Sequence, residues 1–182
     1  MTRAIFRRAV GVLLGVLAVA AVAVLAPSPL PDSRVENTIS IRRPPEDVFR
    51  YVTTPGNWPR WHPSSIAVRG AVDHPLALGE TVTEDFVVAG RRGTVRWTVV
   101  AREEPAHWTI EGRNEGSRGG GRVSYRLTPQ DGGTQFHREL VYRMPNLLGA
   151  VADRLGVHDR VAAESSVAVE NLKAILERNP GR

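Results

Sequence analysis

Polar and apolar positions divide this chain into three regimes: an unbroken apolar run, a long stretch of period two, and a tail with helical spacing. The run AVGVLLGVLAVAAVAVLA, residues 9–26, holds no polar side chain over 18 residues. As a helix it would be about 27 Å long, at the short end of what crosses a bilayer. Arg3, Arg7 and Arg8 precede it, and Pro27, Pro29 and Pro31 follow. The positive-inside rule keeps the extreme N-terminus cytoplasmic and sends everything after residue 27 across the membrane. The expected organisation is a cytoplasmic N-terminus (1–8), a transmembrane anchor or signal segment (9–26), a Pro-rich linker (27–33) and one exported domain (34–178). A single-pass protein of the cell membrane, with its C-terminal domain on the extracytoplasmic side, is the first reading. Secretion after signal cleavage is the second. Cutting after Ala23 would leave apolar residues at the new terminus, and cutting after Ala26 would set Pro27 against the scissile bond. PSPLPDSR is then a stiff spacer that holds the domain off the membrane.

RVENTISIRR (34–43) alternates and predicts a first strand. PPEDVFRYVTT opens with two prolines and places Glu46 and Asp47 in a first helical turn, with Val48, Phe49 and Val52 on one face. PGNWPRW ends that helix and starts a second, very short one. Between Ser64 and Met144 the period is two, with six candidate strands: SSIAVRGAV, ETVTEDFVVA, GTVRWTVVAREE, HWTIEGR, GRVSYRLTPQ and TQFHRELVYRM. Hairpin chemistry separates the later ones (AGRRG, EEPA, NEGSRGGG, QDGG), which predicts an antiparallel meander. From Asn146 to Arg178 apolar residues return at threes and fours, predicting a helix of ~30 residues with a possible bend at Gly156. A curved seven-stranded sheet folded around that helix is the economical way to cover its stripe.

Composition narrows the function classes. The formal charge is +5, but residues 1–27 hold three arginines and no acid, leaving 21 basic against 19 acidic side chains. That balance excludes a nucleic-acid footprint. There is no cysteine, so disulfides, thiolate catalysis and Cys-based metal sites are excluded. His62, His74, His107, His137 and His158 show no HxH or HExxH spacing, so no metal is expected. There is no G-x-S-x-G elbow, and GSRGGGR precedes a strand, where a phosphate loop would open a helix.

The order of these elements, with IRRPPEDVFRYVTTPGNWPRWHPS at the front, LGETVTEDF and GTVRWTVVAREEPAHWTIEG in the middle, GGRVSYRLTPQDGGTQFHRELVY later and AAESSVAVENLKAILE at the end, resembles the START-like (SRPBCC, helix-grip) superfamily. The polyketide cyclase/dehydrase-like branch is the most similar, and the resemblance covers roughly residues 34–178. It implies an α+β helix-grip fold: a curved antiparallel seven-stranded sheet around a long C-terminal helix, with two short helices after the first strand. The apolar run adds one transmembrane helix before it. It also implies a deep, mostly apolar cavity between sheet and helix, with the short front helices at its mouth. Relatives hold a small hydrophobic ligand there without metal, nucleotide or other cofactor. Fold alone does not choose among cyclases, hydrolase-like enzymes, receptors and carriers.

Several side chains are candidates for the cavity wall. On the last strand Phe136, Arg138, Leu140, Tyr142 and Met144 share the more apolar face, which puts Arg138 inside, where it needs a partner. Glu84 is a candidate, on a face with Val82, Phe86 and Val88. Together they would form a polar pole that orients a carbonyl or phosphate; alternatively one sits at a strand end and reaches solvent along its stem. Trp97, Trp108 and Tyr125 lie on inward faces, as ligand contacts or as ordinary core. Trp58, Trp61 and His62, in NWPRWHPS, are either a hydrophobic plug or the cavity mouth, and His62 is a candidate general base.

The expected function is membrane-tethered binding, with or without transport, of a small hydrophobic or lipid-like ligand in an internal cavity. The partners are that ligand and the membrane, reached through the N-terminal helix. The alternatives are a cofactor-free cyclase or dehydratase acting on a polyketide-like substrate, and an envelope interaction module whose interior is filled. The sequence leaves the oligomeric state open.

Overall fold

The computed structural model describes residues 2–28 and 30–178. Met1 of the expected N-terminal segment and Pro29 of the expected linker lie outside the described residues. The first element, α1 (Thr2–Leu25), begins ahead of the apolar run and takes in Arg3, Arg7 and Arg8. Its Ile5–Leu25 stretch is long and apolar enough to cross a membrane and is unburied by the rest of the chain. It is a candidate membrane span or signal sequence.

Seven strands follow: β1 (Ser33–Ile41), β2 (Ser65–Gly70), β3 (Thr81–Val88), β4 (Arg91–Glu103), β5 (His107–Asn114), β6 (Gly120–Gln130) and β7 (Gly133–Arg143). They form one antiparallel sheet in the order β1-β7-β6-β5-β4-β3-β2, in which every consecutive pair from β2 to β7 is adjacent and only β1 crosses to the far edge. The α+β fold expected from the sequence is the one observed. Register shifts between Ser65 and Ala67 and between Val99 and Ala101 mark bulges, which bend the strands and wrap the sheet.

Between β1 and β2 lie α2 (Pro45–Thr53), one 3-10 turn (Pro55–Asn57) and α3 (Trp58–Trp61). Proline at the start of α2 forfeits no helical hydrogen bond, and Glu46 and Asp47 sit at the positive end of the helix. Val48, Phe49, Val52 and Thr53 are buried. At its end Thr53 and Thr54 donate their hydroxyls back to the carbonyls of Phe49 and Arg50, and Pro55 prevents continuation.

The C-terminal tail departs from the single ~30-residue helix expected. It is α4 (Leu147–Ala152), a wide turn (Asp153–Val157) and α5 (His158–Arg178). Gly156 has φ 129°, a conformation that side-chain-bearing residues rarely adopt, so the helix breaks there. The Asn146 side chain caps the start by accepting from Gly149 N at 2.8 Å.

The end of α1 lies against the domain. Arg118, in the β5–β6 loop, donates from Nη1 to the Leu25 carbonyl at 3.0 Å, and α1 packs against α4. Leu30 and Pro31 line a crevice with Met144 and Ala150.

One apolar cluster joins the concave face of the sheet to α2, α3 and α5. At its centre Trp108 stacks on Tyr125 (5.3 Å between centroids, 20° between planes) and meets Trp58 edge-on at 6.4 Å. Tyr125 also touches Trp61 and Phe136, at 6.4 and 5.2 Å. Trp108→Ala empties the middle of this cluster and is expected to cost about 3–5 kcal/mol. Val167→Ala on the exposed side of α5 should stay within about 0.5 kcal/mol. Urea denaturation of both variants checks this, by a lowered midpoint at unchanged m-value for the first alone.

Candidate functional site

A cavity of about 390 Å³ lies between the concave sheet and the C-terminal helical segment. It runs along β7 from Arg138 to Arg143, about 17 Å at strand rise. Its inner end is walled by Trp58, Trp61, Tyr125 and Arg138, all buried. Its outer end is lined by the exposed residues Arg91, Arg92, Glu115, Ser117 and Arg143, at the tips of the β3–β4 and β5–β6 hairpins and the end of β7. The short front helices therefore close the inner end, and the opening lies among the hairpin tips, which corrects the expected placement of α2 and α3 at the mouth. NWPRWHPS is both plug and wall. Trp58 anchors its indole by donating to the Val52 carbonyl at 2.9 Å, and Asn171 on α5 donates to the Trp61 carbonyl at 3.3 Å. Glu164, also on α5, accepts from Ser64 Oγ (2.7 Å) and Ala89 N (2.9 Å), tying α5 to the start of β2 and to the β3–β4 turn.

Arg138 is 4% exposed, so its charge is inside and does not reach solvent along its stem. Its Nη1 donates to Ser165 Oγ at 2.6 Å, and Ser165 in turn donates to Asn37 Oδ1. Its Nη2 lies 3.2 Å from His62 Nε2. Both neighbours of the ring are donors, the Arg138 guanidinium at Nε2 and the Ser64 N–H at Nδ1 (3.3 Å), and a neutral imidazole accepts from one of them at a time. Burial, reinforced by the Arg138 charge, pulls the His62 pKa down to about 3, so the ring is neutral. Burial also lowers the pKa of Arg138. Arg138 Nε is buried and has no partner.

Glu84 lines the same cavity and accepts from Trp97 Nε1 at 2.7 Å. Burial pushes its pKa up; the nearby Ser65 hydroxyl, then the Trp97 hydrogen bond and the Arg138 charge, oppose the shift without cancelling it. Glu84 and Arg138 make no direct ion pair, so they are two separate polar points on one apolar wall. Trp97 can lie flat along that wall because its neighbour on β5 is Gly112: a Cβ there would come within 2.5 Å of the indole. Tyr142 sits further out and donates to Asp153 Oδ1 at 2.6 Å, while Ser33 donates to Asp153 Oδ2 at 2.5 Å. This fastens the helical turn to β1 and β7. Burial, and then the Asp153 carboxylate, raise the Tyr142 pKa.

Of the side chains singled out from sequence, Trp58, Trp61, His62, Glu84, Phe86, Trp97, Tyr125, Arg138 and Tyr142 all line this cavity. Trp108 does not. It lies beneath the wall, fully buried and stacked behind Tyr125, so it supports the site without facing it. Sequence reasoning missed Ser65, Ser165 and Asn37. A serine at an apolar-stripe position of α5 was the available signal for Ser165, since such a position implies a buried polar partner. Among the described residues Glu36, His137 and Glu139 form one grouping with metal-ligand atoms close together. They are on the outer face of the sheet, where Arg34 pairs with both carboxylates (2.9 and 3.3 Å), so nothing there argues for a metal.

Comparisons agree with the geometry. The model of the family described as polyketide cyclase / dehydrase and lipid transport matches residues 32–177. A search of the curated proteins finds no match. Among solved structures, TTHA0849 from Thermus thermophilus is similar with a TM-score of 0.66 at 13% identity, over 82% of this chain and 100% of that one. A Rhodobacter sphaeroides protein gives 0.60 at 21%, over 81% and 94%. DynU16, from the dynemicin biosynthetic locus, gives 0.55 at 19%, over 81% of this chain and 48% of that one. At these identities the structural likenesses establish the fold, and the match of the family model over most of the chain establishes more: this chain belongs to the polyketide cyclase/dehydrase and lipid transport family.

Proposed function

We propose that the domain binds, without covalent chemistry, a small amphipathic molecule with an apolar body and a hydrogen-bond-accepting head, and that α1 tethers it to the membrane with the domain on the extracytoplasmic side. The supporting observation is a cavity of about 390 Å³, within the range of small-molecule sites, whose inner end is lined by a buried arginine. A carbonyl, carboxylate or phosphate oxygen at that end complements the charge of Arg138, and Glu84, where protonated, offers a hydrogen-bond donor. Trp97, Phe86, Leu140 and Val161 take the apolar body. An interior this open argues against a filled interaction module.

The cyclase or dehydratase reading draws on Glu84 alone. A carboxyl with a raised pKa is suited to give a proton, and DynU16, from a biosynthetic locus, shares the fold. His62 is a poor base to complete the pair, because a nitrogen with a pKa of about 3 has little affinity for the substrate's proton. Binding is therefore the reading we adopt. Native mass spectrometry of the full-length protein, extracted gently from its host's membranes, tests it. A stoichiometric adduct that survives incubation unchanged supports a carrier, and turnover of the adduct supports the enzyme.

Two further outcomes are expected. Arg138→Met should weaken binding of anilinonaphthalene sulfonate, an apolar probe with an anionic head, by roughly tenfold or more, as loss of a charge-assisted hydrogen bond requires. The uncharged probe N-phenylnaphthylamine should be nearly unaffected, and equal losses for both would remove the polar pole from the account. The His62 proton equilibrium supplies the other. With a folded pKa of about 3 against an unfolded value of 6.5, the unfolded chain binds the extra proton in that window, so His62 erodes stability as pH falls from about 6.5. In NMR titrations the His62 ring should stay neutral down to about pH 4. The exposed His74, raised by its hydrogen bonds to Asp73 and Glu80, should protonate above its ordinary value.

A further inference from the structure

The mouth of the cavity and the end of the apolar helix are at the same place. The β5–β6 loop supplies Glu115 and Ser117 to the cavity's outer lining, and the next residue, Arg118, holds the last carbonyl of α1. The candidate span Ile5–Leu25 of α1 is about 32 Å long, with Arg7 and Arg8 near its start, enough to cross the hydrocarbon core once, and it ends at Leu25. If it spans the bilayer, Leu25 is at the interface and so is the rim of the cavity.

That rim has the composition of a surface built for the interface. Leu148 and Val151 on α4 and Leu155 in the turn after it lie between the cavity-lining Pro145 and Val157 and are 55%, 43% and 81% exposed. A soluble surface gains nothing from a row of aliphatic side chains, but the headgroup–acyl boundary does. Arg91, Arg92, Arg118 and Arg154 surround the apolar row and the opening, are exposed, and have no carboxylate partner among the described residues. Arg143, also at the rim, is paired with Asp32 at 2.6 Å. Arginines without a carboxylate partner around an apolar edge complement anionic headgroups. The apolar row is also continuous with the membrane helix, because α1 packs against α4.

We infer that this rim docks onto an anionic phospholipid bilayer, with Leu148, Val151 and Leu155 dipping below the headgroups and the surrounding arginines bound to lipid phosphates, so that the cavity opens into the membrane and not into water. This rests on the tethered-carrier reading and adds an orientation to it. Cargo then passes between acyl chains and cavity without crossing the aqueous phase, and the polar pole at Arg138 receives the head of a molecule that enters head first.

The test uses the full-length protein, which has no native cysteine, carrying one environment-sensitive NBD label at a time through Leu155→Cys, Val167→Cys or Leu17→Cys. Each is reconstituted in phosphatidylcholine vesicles with and without phosphatidylglycerol. The Leu17 position reports whether α1 is inserted, and Val167, exposed on α5, reports a surface away from the rim. The expected result is blue-shifted emission and several-fold slower quenching by aqueous dithionite at Leu155 than at Val167, with the protection strengthened by phosphatidylglycerol. A protected Leu17 label with Leu155 as fast to quench as Val167 overturns the docked rim while leaving the tether standing. An aqueous Leu17 label removes the tether, and the docked rim falls with it. Equal protection of Leu155 in both lipid mixtures overturns the assignment of the arginines to anionic headgroups. No outcome depends on the cavity holding cargo, so failure of the binding reading is seen separately in the mass spectrum.

Discussion

A single helix cannot fill the concave face of a seven-stranded sheet, and this mismatch governs the rest of the structure. Seven strands at their usual spacing span about 29 Å, whereas a helix with its side chains is about 10 Å across. Curling the sheet through the bulges in β2 and β4 narrows the gap without closing it. What remains must be packed with side chains or left as volume. The chain does the first at one end, with Trp58, Trp61, Trp108, Tyr125 and Phe136, and the second at the other. The cavity is thus a consequence of the architecture, and the aromatic cluster decides where it stops.

Charge inside that volume is tolerable because it is shared. Arg138 has Ser165, Asn37 and a deliberately neutral His62 around it, and Glu84 answers to the indole of Trp97. Burial moves His62, Glu84 and Arg138 towards their uncharged forms, so the inner part of the site favours neutral hydrogen bonding over ion pairing. The same polar contacts have a mechanical effect. Ser165 and Glu164 bind α5 to the sheet, and Asp153 binds the turn at Gly156 to β1 and β7. The segment that forms the rim is thereby held in place even though its outward side chains are exposed.

Much of the fold was legible because burial on one face writes period two into a strand and threes and fours into a helix. The six strands between Ser64 and Met144 and the proline-led α2 follow directly from that rule. The tail was less legible, since Leu155 and Gly156 continue a helical pattern by spacing while the backbone at Gly156 leaves the helix. The inward faces were readable too, because alternation turns Arg138 and Glu84 to the more apolar side of their strands.

The sequence by itself determined the apolar N-terminal run, the meander and its covering helix, the alternation that turns Arg138, Tyr142, Glu84 and Trp97 to one face, and the absence of any thiol chemistry. Each is a local property, set by the order of residues along one element. Tertiary structure decided which end of the cavity opens, that Trp108 supports the wall from behind, that His62 faces a guanidinium and stays neutral, and that the end of α1 meets the rim through Arg118. These depend on residues 76 and 93 positions apart meeting in space. The periodicity of a strand or helix records which side is buried, and it carries no information about what waits on that side.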